Sequence, residues 1–542
     1  MRWAATIIFT VVAVVALCMN YVHIEHPAYI WDYAAYWETF KRYSLWLSKS
    51  PLDAIISIIR EIRKVDYNPT PILALFPFYL LFGDGRAAYI IGIAITYVLP
   101  ASVVVMFLTV RVSNVRPTIS LFIICATAPA FWAASLRGQP DIVGLIFLGT
   151  ATIFLFKSKY LSHRPLLYGI IIGVCTYAPF MFRRWYAYSI VSFFGISALF
   201  ILLRSVKSGR FKETIVPPVC GISIAGLTAL TLLCLIQFDL AKRIINTTYS
   251  ELYNAYQVDL YTHIMLLTEY SYNIAIFITI IGIIISLHRK NINAIFCVVS
   301  AFCTFTLFIQ TQYMGRHHIL PVYMWMIPSY IIGTIWICEK LGIKLFYASA
   351  INAVILIISI NPVSGNLGYV AGWLIPSADM RPLHLDNFDE YKELVSKLDK
   401  LTHDDKTMVV YASSVNLSDS LLVPLNPNLK RSIIWAPHIA AVQGFPLELF
   451  DADYAVVATP DQFHMRPGSQ ENILLPGRWI LDGTGFGQAY ERIAEFKLQN
   501  GVTAFIYERN RSVKLEEKLE LLDKLTNIYP DNPDLFTWPA AK

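Results

Sequence analysis

Residues 87–110 read AAYIIGIAITYVLPASVVVMFLTV, an apolar run without one charge that ends at Arg111. A helix rises 1.5 Å per residue, so a run of this length crosses a hydrocarbon core of ~30 Å, whereas a soluble helix would show a polar face. The run is one of a series. Similar blocks lie at 3–19, 117–134, 140–156, 165–181, 185–203, 216–236, 271–287, 292–309, 319–337 and 345–360, which predicts about eleven membrane spans. Composition agrees: of 542 residues 56% are hydrophobic and 15% charged, against roughly a quarter charged in soluble domains. Beyond residue 361 the blocks stop and charges become frequent. The expected architecture is therefore a mainly α, polytopic membrane domain over 1–360, with a long loop at 20–86, followed by a small α/β domain over 361–542.

The first block follows Arg2 as a signal peptide would. Its end, Ala16-Leu17-Cys18-Met19, offers no small-x-small cleavage site, so a spanning anchor is expected. With the N-terminus in the cytoplasm, the cytoplasmic loops carry Arg111 and Arg116; Lys157, Lys159 and Arg164; Arg204, Lys207, Arg210 and Lys212; Arg289 and Lys290; Lys340 and Lys344. All five are basic, as the positive-inside rule requires. The parity then places the C-terminal domain outside. All eight cysteines fall in or beside the blocks, which excludes a disulfide framework or a CxxC metal site outside the membrane. The charge excess of +6 lies in these loops and indicates no nucleic-acid partner.

Three outer segments are long enough to do chemistry. The first, about 20–86, is rich in Trp and Tyr and contains Leu52 to Lys64, where Ile55, Ile56, Ile58, Ile59 and Ile62 recur at helical spacing opposite Asp53, Arg60, Glu61, Arg63 and Lys64. That pattern suits a helix lying in the membrane interface. Asn68-Pro69-Thr70-Pro71 then breaks the helix. The second, about 237–270, carries Tyr249, Tyr253, Tyr256, Tyr261 and Tyr270. The third is the tail, expected to hold a helix at 388–401, strands near 407–413, 431–435 and 452–459, and a hairpin over 489–509 turning at Asn500-Gly501. Sequons occur at Asn246-Thr247-Thr248 and Asn416-Leu417-Ser418.

Charged residues at the outer ends of spanning helices are costly and therefore functional candidates. Asp32 stands among Tyr29, Trp31, Tyr33, Tyr36 and Trp37, where poor hydration would raise its basicity and suit it to taking a proton from a sugar hydroxyl. A plain helix-capping aspartate reads equally well from the residues alone. Glu25, Glu38 and Asp66 are rival acids nearby. Asp141 follows Pro140 at a helix start; it either serves the helix end or binds sugar hydroxyls or, with Asp32, a divalent ion. Arg183, Arg184, Arg316, His317 and His318 place cations where the outside should be poor in them. They suit a phosphate, and headgroup snorkelling is the alternative. Neither His317-His318 nor His23, Glu25 and His26 has the spacing of a zinc site.

These features together resemble the GT-C superfamily of integral-membrane glycosyltransferases, in particular bacterial relatives of the dolichyl-phosphate-mannose protein mannosyltransferases and the lipid A aminoarabinose transferases. One helix, a long outer loop with an early Asp and an interfacial helix, a Pro-containing return, a second outer acid at a helix start and an outer α/β tail carry the resemblance over most of the chain. It implies that Asp32 is the catalytic base and Asp141 the second acid. It also implies that Arg183, Arg184, Arg316, His317 and His318 contact the phosphate of a polyprenyl-phosphate sugar, with no obligatory metal, for transfer to a glycan, lipid or protein acceptor. Asp32 is followed by Tyr33 where the mannosyltransferases carry an Asp-Glu pair, so the protein-mannosylating branch fits less well. Nucleotide sugars stay in the cytoplasm, so a site that faces outward needs a membrane-borne donor. A polysaccharide polymerase or ligase would use related donors. A transporter or flippase should show repeated halves and midplane charges, which this chain lacks.

Overall fold

The computed structural model describes residues 2–26, 28–157, 161, 163–208, 211–247, 253–361 and 380–538. Lys159, Arg210, Thr248 and Tyr249, named above, lie outside the described residues. The chain forms two compact units. One comprises Met1–Ile24, Ala35–Tyr249 and Val258–Pro382; the other comprises Glu25–Ala34, Ser250–Gln257 and Leu383–Lys542.

The first unit is helical. Its elements are α1 (Arg2–Ile24), α2 (Trp31–Lys49, whose first residues belong to the other unit), α3 (Pro51–Lys64), α4 (Thr70–Phe82), α5 (Arg86–Ser113), α6 (Ile119–Ala126), α7 (Pro129–Leu136) and α8 (Val143–Phe156). They continue with α9 (Pro165–Phe182), α10 (Ala187–Ser208), α11 (Phe211–Ile236), α12 (Phe238–Asn246), α13 (Leu260–Glu269), α14 (Asn273–His288), α15 (Ile292–Ile309), α16 (Leu320–Leu341) and α17 (Leu345–Ile360). Each of the eleven expected spans coincides with an apolar helix or a bent helix pair. Among the described residues seven helices are long and apolar enough to cross a membrane, or nine if each of two bent pairs is one span. The stretch Pro140–Phe156 and α17 occupy predicted spans but are shorter.

The difference has a local cause, because apolarity continues through places where the backbone breaks. Pro129 opens α7 at a 46° bend from α6, and the indole Nε1 of Trp132 donates to the carbonyl oxygen of Ala126 at 2.7 Å, satisfying an acceptor freed by the break. In α5 the backbone widens to a π turn at Ala94–Val98 just before Pro100, whose ring cannot bond or clear the carbonyl four residues back. Helices α9 and α11 meet closely. A Cβ on Gly169 or Gly173 would stand 2.6 Å from the carbonyl oxygens of Gly221 and Ala225, so only glycine permits this approach. In α3, Ala54 and Ile58 are buried while Leu52, Ile55, Ile56 and Ile59 stay exposed, an uncovered apolar stripe of the kind an interfacial helix needs.

The second unit holds α18 (Phe388–Leu401), β1 (Met408–Val410), α19 (Asp419–Leu425), β2 (Tyr454–Thr459), α20 (Glu471–Asp482), β3 (Tyr490–Lys497), β4 (Thr503–Arg509) and α21 (Leu515–Ile528). The sheet order is β1-β2-β4-β3. Strands β1 and β2 run parallel, with Met408 beside Tyr454, and the β3–β4 hairpin is antiparallel with Asn500 left-handed at its turn. The strand expected at 431–435 is absent. Pro427–Arg431 forms a 3₁₀ turn, since Pro427 cannot donate to a ladder, and only Ile433 bridges Met408. Ala28 and Ile30 from the long loop at 20–86 sit in this unit's core beside Tyr391, Leu394 and Val456, and Trp31 and Tyr33 pack against it.

Candidate active site

At one end of the helical unit the turn Arg137-Gly138-Gln139-Pro140-Asp141 links α7 to α8. Its shape follows from Gly138, which takes φ +87°; a Cβ there would lie 2.7 Å from Nη1 of Arg86. The turn is held by Arg86 Nη2 donating to the Arg137 carbonyl oxygen at 2.9 Å and by the Tyr89 hydroxyl donating to the Gly138 carbonyl oxygen at 2.7 Å. A 3₁₀ turn at Pro140–Ile142 then aims Asp141 inward, where it is 1% exposed.

Asp141 and Arg183 form an ion pair, with Nε 2.8 Å from Oδ1. The Trp185 indole N–H also points at Oδ1, at 3.3 Å, and the Tyr186 hydroxyl donates to the Asp141 backbone oxygen at 2.8 Å. Arg183 further donates to the Tyr36 hydroxyl and lies 4.1 Å from the centroid of the Tyr67 ring. Gln139 Nε2 stands 2.9 Å from Nδ1 of His317. The His317 and His318 rings are 3.8 Å apart, and Trp185 lies edge-on to His318 at 5.2 Å. The backbone N–H of Gly315 donates to Nδ1 of His318 at 3.2 Å, so that ring carries its proton on Nε2. The structure thus brings Asp141, Arg183, His317 and His318 together.

One candidate cation, Arg184, pairs elsewhere. Arg184 Nη1 pairs with Oδ2 of Asp66 at 2.7 Å, and Arg243 Nη2 takes Oδ1 of the same carboxylate at 2.6 Å, so Asp66 ties the end of α3 to α12. Arg137 is the opposite case and was overlooked as a site residue in the sequence. It is 5% exposed, and its Nε and Nη1 have no hydrogen-bond partner among the described residues. The signal for it was present: a charge at the end of an apolar block beside Gly, Gln and Pro.

The local field is positive. Burial, and then the charges of Arg183 and Arg316, push the His317 imidazole well below its usual range. Burial, His317 and Arg183 do the same to His318 against a weaker opposing pull from Asp141. Both rings are neutral at pH 7 and act as single donors and acceptors. Such a place suits an anion, which would relieve the repulsion and satisfy the Arg137 N–H groups.

Asp32 belongs to the second unit, half-buried in the first turn of α2, where a carboxylate complements the helix dipole. Glu25 is buried and accepts from the Tyr29 hydroxyl at 2.5 Å, and Glu38 pairs with Lys41. Among the described residues no three His, Cys, Asp or Glu side chains are grouped to hold a metal ion.

No family model and no curated protein matches this chain. Among solved structures it is similar to the crystal structure of ArnT from Cupriavidus metallidurans in the apo state, with a TM-score of 0.49, 10% identity, and 93% of this chain and 98% of that one covered. It is also similar to the structure of ArnT from the same organism bound to undecaprenyl phosphate, with a TM-score of 0.46, 10% identity, and 92% and 97% covered. At these values the likeness concerns the general course of the chain.

Proposed function

We propose that this protein is a membrane glycosyltransferase that moves a sugar from a polyprenyl-phosphate donor to an extracytoplasmic acceptor. The observation that carries the reading is the nearly buried Arg137 guanidinium, whose Nε and Nη1 have no hydrogen-bond partner among the described residues, two positions before the Gln139 that contacts His317. A buried cation without a counter-charge is destabilising by several kcal/mol, and an anionic phosphate at the membrane surface would offset that. In the reaction the acceptor oxygen bonds to the anomeric carbon as the bond to the phosphate oxygen breaks, and the phosphate leaves with added charge. Arg137, Arg316 and neutral His317 are suited to stabilising it. The acceptor's proton needs a base, for which Asp32 of the other unit is the candidate. Asp141 is a positioning residue, since its carboxylate orients Arg183.

The test is transfer of labelled sugar from a synthetic polyprenyl-phosphate donor by protein in lipid nanodiscs. Asp32→Asn should lower turnover at least ~10²-fold with donor affinity unchanged. As a mere helix-end group, Asp32 would be replaced by Asn with little effect, because the two residues rank together at helix starts. Transfer from a diphosphate-linked donor alone would favour a polymerase or ligase instead. Activity should survive chelation of divalent ions.

A further inference from the structure

Strands β1 and β2 of the soluble unit are parallel neighbours, and the segments that follow them, 411–418 and 460–470, leave the sheet at the same edge. In open α/β sheets the crevice outside the carboxyl ends of parallel strands is the usual ligand site, because two loops deliver side chains to one place. Here the loop after β2 supplies His464. Its Nδ1 lies 2.8 Å from the Ser413 carbonyl oxygen in the loop after β1, so Nδ1 donates and Nε2 is left as an acceptor.

Three rings surround that imidazole: Trp31 at 4.6 Å, His438 at 5.5 Å and Tyr256 at 6.2 Å between centroids. Trp31 and Tyr256 come from chain segments remote in sequence. Trp31 adopts φ +46°, a left-handed backbone that a bulky residue takes only when its surroundings impose it, and such strain gathers at functional positions. His438 Nε2 stands 3.9 Å from Oδ1 of Asp419, whose side chain is 5% exposed. Trp31 Nε1 and the Ser418 hydroxyl are buried atoms with no hydrogen-bond partner among the described residues.

We propose that this crevice binds a neutral saccharide unit, with its C–H face against Tyr256 and its hydroxyls on Trp31 Nε1, His464 Nε2, His438 and Asp419. A sugar hydroxyl both donates and accepts, so it matches a set that offers a ring nitrogen acceptor, a carboxylate acceptor and N–H or O–H donors. Aromatic faces give a pyranose apolar area without charge. Burial pushes His464 down to about 4, which keeps it an uncharged acceptor at neutral pH and makes the place ill suited to a phosphate. The site stands independently of the transfer reaction, although an acceptor glycan would serve both.

Saturation-transfer NMR on the full chain in lipid nanodiscs tests it, using the methyl α- and β-pyranosides of glucose, galactose and mannose as probes. At least one probe should receive saturation from the wild type. Trp31→Phe and His464→Asn, each checked for an unchanged melting temperature, should weaken its binding roughly tenfold, as the loss of a hydrogen bond does. Transfer to none of the six, or equal transfer in both folded variants, overturns the proposal. If His464→Asn melts early, Trp31→Phe, which keeps an aromatic ring, decides alone. Polyprenyl-phosphate binding measured on the same variants should stay at the wild-type level, which separates failure here from failure of the transferase reading.

Discussion

A single guanidinium, Arg137, carries the anion site proposed for the helical unit. Holding it nearly buried, with Nε and Nη1 lacking partners among the described residues, costs stability, and anion binding is what such a residue can give in return. Arg137→Met keeps volume and removes the charge. We expect its melting temperature to rise while affinity for a polyprenyl-phosphate donor falls tenfold or more, in line with the ~1.5–3 kcal/mol of a hydrogen bond to a charged group. A variant that binds donor normally would reduce Arg137 to a structural oddity. His317 and His318 make a second residue-scale prediction. Their folded values lie below the ordinary 6.5, so the unfolded chain takes up protons first as pH falls. Their contribution is complete above 6.5 and lost progressively below it. Thermal melts between pH 7.5 and about 5, above the carboxylate range, should show this decline, and His317→Gln with His318→Asn should make it shallower, leaving the share of His464, which burial also depresses. A flat wild-type profile would contradict the depression.

At the scale of elements, what the sequence made legible was whatever depends on local period and length. The apolar blocks, the amphipathic α3, α18 at 388–401 and the β3–β4 hairpin all follow from 3.6- or 2-residue repeats and from turn residues such as Asn500-Gly501. What was hidden depends on partners distant in the chain. Nothing near Asp32 tells that Ala28 and Ile30 join the core of a domain some 350 residues downstream. Nothing near Arg184 tells that Asp66 takes its charge. The breaks at Pro129 and Pro140 were visible as prolines, but their effect on span length was not. The α9–α11 contact can be tested at this scale. Gly173→Leu would set side-chain atoms against the Ala225 carbonyl, so we expect a lower melting temperature, corresponding to about 1–3 kcal/mol of overpacking. The same change at Gly195, where a Cβ meets nothing, should be silent.

For the molecule as a whole, the open question is which way the bundle faces, and the structure sorts its loops by end. Arg111 donates to the Phe156 carbonyl at 3.1 Å, and Asn291 donates to the Val112 carbonyl at 2.8 Å, so the loops after α5, α8 and α14 gather at one end. Helix α5 runs from Arg86, beside the Gly138 turn, to Arg111, so the cluster of Asp141, Arg183 and His317 lies at the other. Three of the five loops rich in Lys and Arg thus share an end without any assumption about orientation. The positive-inside rule predicts that this end is cytoplasmic. Alkaline phosphatase, active only when exported, should therefore be inactive when fused after Lys290 and active when fused after Asn366, a position outside the described residues. A membrane-borne donor is required only if the candidate site faces away from the nucleotide sugars of the cytoplasm. Activity of the Lys290 fusion, with silence after Asn366, would invert the bundle, put Arg137 within reach of soluble sugar nucleotides, and remove the reason for choosing a polyprenyl-phosphate donor.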